Sequence, residues 1–274
     1  MPLGVLGAAI GLAALPAGAS ERIQAQAVPV KYNLTVRPGE VAARDVLISN
    51  QGDGPVVVQV HFSDWSLSDR GDLSLVPAGT TPNTLAAQVH FEPAEFSLQP
   101  GESKPIHLTA VMPRDGPATR WGVLLSLVRP AVTSSPGLRP RAIAELGTTL
   151  YVSRIPEGQQ RSELTGLEVG RAGGDSLSVS VTVKNAGERH FYAGGEVAVT
   201  DSAGTGVKSG SLPTAVVLPG RVRVFTWTCP AGLSPGRYTV TATLDTGEPQ
   251  LLVGETRVQW PVESQRSPLA HSSR

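Results

Sequence analysis

The sequence predicts an all-β protein: two tandem immunoglobulin-like β-sandwiches behind a cleaved signal peptide. Three observations carry this expectation. First, helical periodicity is scarce. The 30 glycines and 23 prolines among 274 residues interrupt nearly every window of the ~10–12 residues that a helix needs. Second, period-two alternation is frequent. Residues 177–183 and 238–244 set apolar side chains on one face and Ser or Thr on the other, the pattern of a half-buried antiparallel strand. Residues 56–62 are nearly all apolar and read as a strand covered on both faces. Third, one set of turn signals occurs twice. Asn50-Gln51-Gly52 and Asn185-Ala186-Gly187 each close an apolar strand. Leu98-Gln99-Pro100-Gly101 and Leu218-Pro219-Gly220 follow, and Trp121-Gly122 and Pro235-Gly236-Arg237-Tyr238 open later strands. Asn and Gly tolerate positive φ, so a tight turn is expected at each Asn-x-Gly, and Pro-Gly sets the next turn.

Taken in order, the chain opens with an uncharged apolar run over residues 3–15, too short to span a bilayer, which needs ~20 residues. Ala17-Gly18-Ala19 and Ala25-Gln26-Ala27 follow it. An apolar run followed by small-x-small sites is the pattern of a secretory leader, so residues 1–27 are read as the leader, with cleavage on export expected after Ala19 or Ala27. Residues 28–156 form the first expected sandwich. The polar segment Ile155-Pro156-Glu157-Gly158-Gln159-Gln160-Arg161-Ser162 reads as a linker. Residues 163–262 form the second sandwich, and 263–274 a flexible tail. The Asn-to-Pro spacing runs from 50 to 100 in the first copy and from 185 to 219 in the second. The first copy is thus the longer, with its excess expected around residues 69–84.

Composition removes several function classes. Lys plus Arg equals Asp plus Glu at 23 each, with pI near 7.0. That is no electrostatic footprint for nucleic acid or an anionic membrane. A single cysteine excludes an intrachain disulfide framework and any multi-cysteine metal site. The histidines His61, His90, His107, His190 and His271 form no metal-binding spacing and are expected at surfaces or strand edges. No nucleophile elbow or phosphate-binding loop occurs. The expectation is a non-enzymatic protein with no cofactor and no metal site. No second apolar run of ~18 residues marks a membrane span.

Isolated motifs have plain structural readings. Arg70-Gly71-Asp72 lies between Trp65-Ser66-Leu67 and Leu73-Ser74-Leu75, where Gly and Asp suit a hairpin turn. Asn33-Leu34-Thr35 is a glycosylation sequon, relevant only in a host that modifies it. Cys229 reads as a small buried hydrophobe. Trp65, Trp121, Trp227 and Trp260 read as core or sheet-edge packing.

Several segments resemble the periplasmic pilus-assembly chaperones. They are residues 46–50, Glu92-Pro93 through Phe96-Ser97-Leu98-Gln99-Pro100-Gly101-Glu102, Met112-Pro113 and residues 144–152, together spanning most of residues 28–156. The second half is similar to a generic bacterial immunoglobulin- or fibronectin-type domain. The resemblance implies a first-domain sandwich whose last strand completes the sheet of a client subunit by β-augmentation. It also implies a basic pair that clamps the client's terminal carboxylate. On the last strand Thr149 stands where relatives carry Lys, and the first strand offers Lys31 and Arg37. The alternating client-facing residues fall on Ala142, Ala144 and Leu146. Residues 141–152 are therefore the expected open edge, reached over by a loop at 130–140.

The expected function is an exported chaperone-like binding protein that assists folding or assembly of extracytoplasmic, pilus-like subunits by edge-strand pairing, in the periplasm or at the cell surface. The alternatives are a structural or adhesive surface protein and a carbohydrate-binding accessory module.

Overall fold

The computed structural model describes residues 23–131, 143–173, 176–230 and 232–262; residues 1–22 of the expected leader and the whole expected tail lie outside them, whereas Ala25–Val28, mostly assigned to that leader, is a strand paired with residues 47–50. All regular structure among the described residues is β, in two sandwiches. In the first, one sheet has the order β1 (Ala25–Val28), β3 (Val41–Asn50), β8 (Ser103–Val111), β6 (Val89–Glu92). The facing sheet runs β2 (Lys31–Val36), β10 (Ala144–Arg154), β9 (Thr119–Pro130), β4 (Val56–Leu67), β5 (Leu73–Val76), with β7 (Glu95–Leu98) also paired to β4. In the second, β11 (Ser162–Arg171), β12 (Ser176–Asn185) and β15 (Val222–Pro230) face β14 (Gly206–Val217), β13 (Phe191–Asp201), β16 (Gly236–Asp245) and β17 (Leu252–Trp260).

Alternation places the cores. In β12, Leu177, Val179, Val181 and Val183 are at most 1% exposed, and in β16 Val240, Ala242 and Leu244 are fully buried. Ile48, Val58, Ile106, Leu108 and Leu150 do the same work in the first sandwich. Each such Val or Leu contributes roughly 1.5–3 kcal/mol of burial. A separate cluster of Trp65, Trp121, Val123, Leu125 and Tyr151 meets Leu218, so the two sandwiches share an apolar seam.

The repeated turn signals have a chemistry the sequence did not show. Pro-Gly behaves as expected, with Gly101 at φ 77° and Gly220 at φ 70°. The Asn residues do not take positive φ. Asn50 and Asn185 instead end strands with side chains at most 1% exposed. The Asn50 amide donates to Gly54 and Leu98 carbonyls while its Oδ1 accepts from Gly52 N–H. Asn185 repeats this with Arg189, Val217 and Gly187. Each Asn thus joins its own turn to the strand end before the Pro-Gly corner, which is why the two signals recur together.

The extra residues of the first copy form the β4–β5 hairpin and the loop after it. That loop is tied to Asp64, a fully buried carboxylate. It accepts from Thr80 N–H, Thr81 N–H, and the hydroxyls of Thr81 and Thr84.

Candidate functional site

The N-terminal strand changes sheets at Pro29, which has no N–H to give to either. β1 pairs antiparallel with β3, whereas β2 runs parallel to β10, with Lys31 opposite Thr149 and Val36 opposite Arg154. Thr149 N–H donates to Val30 carbonyl at 3.0 Å, and the Thr148 hydroxyl donates to Pro29 carbonyl at 2.8 Å. The expectation of an open edge along all of residues 141–152 is thereby corrected: from Thr149 onward β2 covers it. On residues 144–148 only β9 is paired, so the free backbone edge is short and lies at the start of β10. Backbone direction alternates along a strand. Since Thr149 N–H points away from β9, those of Gly147 and Glu145 point the same way, into the open side.

The expected site residues divide. Ala144 and Leu146 are half-buried and pack on the rim of the first core. The same face continues into Thr148 and Leu150, which are buried. Ile143 is 61% exposed at the tip. Ala142 and most of the 130–140 loop lie outside the described residues. Arg37 does not join the site. It sits past the far end of β2, six residues and therefore about 20 Å from Lys31, in an exposed ion pair with Glu40 at 3.5 Å. Lys31 does join, as the register with Thr149 shows.

The second sandwich supplies residues that sequence reading missed. The His190 ring stacks on Tyr151 with centroids 4.3 Å apart, and Tyr192 meets His190 edge-on at 5.9 Å. The Lys31 ammonium lies 4.3 Å from the centre of the Tyr192 ring, a cation–π contact. His190 was expected at a surface or strand edge. It does sit at a strand edge, half-buried just before β13, but its Nδ1 is buried without a hydrogen-bond partner. Burial, then the neighbouring Lys31 and Arg189, against an opposing pull from Glu157, lower its pKa to about 4. The ring is therefore neutral at pH 7. Burial, followed by the neighbouring Tyr192, pushes the Tyr151 hydroxyl well above the usual phenol range. The density of rings in His190-Phe191-Tyr192, just after the Asn185 turn, was the available signal. Lys31 and Thr149 thus meet at the foot of the open edge, beside the Tyr192 and His190 rings.

The β4–β5 hairpin fixes the other side of the seam. Its turn is closed by the Ser68 hydroxyl donating to the Asp72 carboxylate at 2.7 Å, which agrees with the turn reading of Arg70-Gly71-Asp72. The Asp69 carbonyl accepts from Val224 N–H on β15 at 2.7 Å. Gly71, at φ 93°, lies against the Arg223 guanidinium so closely that a β-carbon would stand 1.7–2.1 Å from it.

No family model and no curated protein matches the chain. Among solved structures it resembles periplasmic fimbrial chaperones. The class 5 fimbriae chaperone CfaA aligns over 85% of this chain and 98% of its own, at 11% identity and TM-score 0.44. CsuC, solved with the tip adhesion subunit CsuE of the archaic Csu pili of Acinetobacter baumannii, aligns over 85% and 97%, at 12% identity and TM-score 0.44. The E. coli chaperone DraB aligns over 88% and 97%, at 16% identity and TM-score 0.39. At these identities the likeness is one of fold.

Proposed function

We propose that this is an exported, non-enzymatic, chaperone-like protein of the periplasm or cell surface that captures extracytoplasmic protein subunits by strand pairing at the start of β10. The observation that carries the reading is the half-covered strand. One half of β10 is closed by parallel β2, and the other leaves the N–H and C=O groups of Glu145 and Gly147 without a strand on that side. Unpaired edge groups are a template for a partner strand, and main-chain bonds give such a contact its affinity. Exposed Ile143 and half-buried Ala144 and Leu146 add apolar surface beside them. Lys31, with the Thr149 hydroxyl opposite, offers a carboxylate of the partner a charge-assisted anchor. A photo-crosslinking residue at Glu145 tests the proposal in extracytoplasmic extract. Crosslinks to one or a few secreted subunits are expected there and not from the same residue at Arg37. Equal yields from both positions would contradict it.

A further inference from the structure

A second site stands at the end of β13 remote from His190. A groove of about 590 Å3 lies there, lined by residues of β13, β16 and β17 and by the β13–β14 turn. Strand register builds its floor. Thr200, Thr239 and Arg257 form one row across the three strands, and Arg237 beside Gln259 forms the next. Tyr238 and Val240 alternate with these residues and point into the core, so the row faces outward. The wall is a turn held by Asp201, whose Oδ1 accepts Ala203 and Thr205 N–H groups, both at 2.9 Å.

Arg237 and Arg257 occupy diagonal positions on paired strands, about 7–8 Å apart. Neither has an ion pair or side-chain hydrogen bond within the described residues. Both side chains are exposed and long enough to converge on one oxyanion, which their planar forks suit. Asp201 is the one acid of the groove, and one of its oxygens serves the turn, so the lining keeps a net positive charge. The volume falls within the ~300–1,000 Å3 of small-molecule sites, which are mostly apolar. This one mixes hydroxyl, amide and guanidinium groups with apolar surface from Tyr238 and Val258, a set that suits a ligand with both hydroxyls and a carbon ring.

We infer that this groove binds an acidic sugar, its carboxylate or phosphate held between Arg237 and Arg257 and its hydroxyls met by Thr200, Thr239 and Gln259. Ten residue steps along β13 set it about 33 Å from His190, so it is independent of subunit capture.

The test is a titration of the 15N-labelled full chain with glucuronate, glucose 6-phosphate, glucose and inorganic phosphate at constant ionic strength. The reporters are the arginine Nε–H signals and the backbone amides of residues 200–204 and 237–259. Saturable shifts with at least one sugar acid are expected, with affinity at least tenfold above that for glucose. Arg237→Gln and Arg257→Gln should each weaken binding at least tenfold while the remaining amide spectrum is unchanged. The inference is overturned if neither sugar acid saturates, if glucose binds as tightly, or if inorganic phosphate saturates while both sugar acids fail. The wild-type titration decides between these even if a variant does not fold.

Discussion

Replacing Gly71 with alanine should destabilise the protein by about 2–3 kcal/mol, and part of that loss should vanish when Arg223 is also removed. Two effects add. Gly71 sits at φ 93°, where an L-residue costs roughly 1–2 kcal/mol. Its new β-carbon would also fall 1.7–2.1 Å from the Arg223 guanidinium, which must then leave its packed position. Lifting the hairpin tip breaks the 2.7 Å bond from Val224 N–H to Asp69 carbonyl, about 0.5–1.5 kcal/mol net. The assay is urea denaturation of wild type, Gly71→Ala, Arg223→Ala and the double variant. In the Arg223→Ala background the glycine substitution should cost only the backbone share, giving a coupling of about 1 kcal/mol. Protease should also cut faster at residues 68–72 in the single glycine variant. An identical loss in both backgrounds would refute the packing of the hairpin against β15.

Further outcomes follow from the same contacts. Asn185→Ala leaves the Arg189 and Val217 carbonyls and Gly187 N–H without their partner; at ~1–3 kcal/mol per buried orphan the loss should be about 3 kcal/mol by urea denaturation, and a loss below ~1 would contradict the corner. His190 titrates near 4 when folded against ~6.5 when unfolded. Its depressed value means the unfolded chain takes up the proton first, so stability is full above ~pH 6.5 and falls toward pH 4, by about 2 kcal/mol at pH 5; His190→Gln should abolish this component of the pH dependence. Thr149→Lys sets a second cation opposite Lys31 and should tighten binding of a peptide with a free C-terminal carboxylate about tenfold over its amidated form, measured by fluorescence anisotropy; equal binding would remove the carboxylate anchor from the account.

Much of the fold was legible because period-two alternation survives in this chain with little interference. The Ser and Thr residues between Leu177, Val179, Val181 and Val183 mark their outer face, and the structure buries the apolar set. The duplicated Asn and Pro-Gly signals marked equivalent corners, yet the reason for the Asn was invisible. A side chain bridging Asn185 to Val217, 32 residues away, has no local signature. The site was less legible. Residues 144–154 form one strand in sequence, but the point where β2 begins to cover it depends on where the first strand changes sheets. Lys31 and Arg37 are similar in the sequence, and only register with Thr149 separates them. His190 and Tyr192 reach Tyr151 and Lys31 through the apposition of two sandwiches, which no periodicity encodes.

The half-open edge of β10 is tested most directly by comparing proline at two adjacent positions. Glu145 N–H points to the open side, so Glu145→Pro removes a donor that the protein's own sheet does not use. Leu146 N–H points toward β9, opposite Ser126, so Leu146→Pro breaks the ladder from within. The measurement is subunit capture by Glu145→Pro, alongside its urea stability and that of Leu146→Pro. The account predicts that Glu145→Pro stays within about 1 kcal/mol of wild type, the small change expected where no ladder bond is lost. Its capture should weaken roughly 5- to 150-fold, the ~1–3 kcal/mol of one backbone acceptor left unpaired in the partner. Leu146→Pro should lose at least the ~1–3 kcal/mol of the orphaned partner on β9. A Glu145→Pro protein that folds normally and captures its subunit as tightly as wild type would contradict strand pairing at this edge.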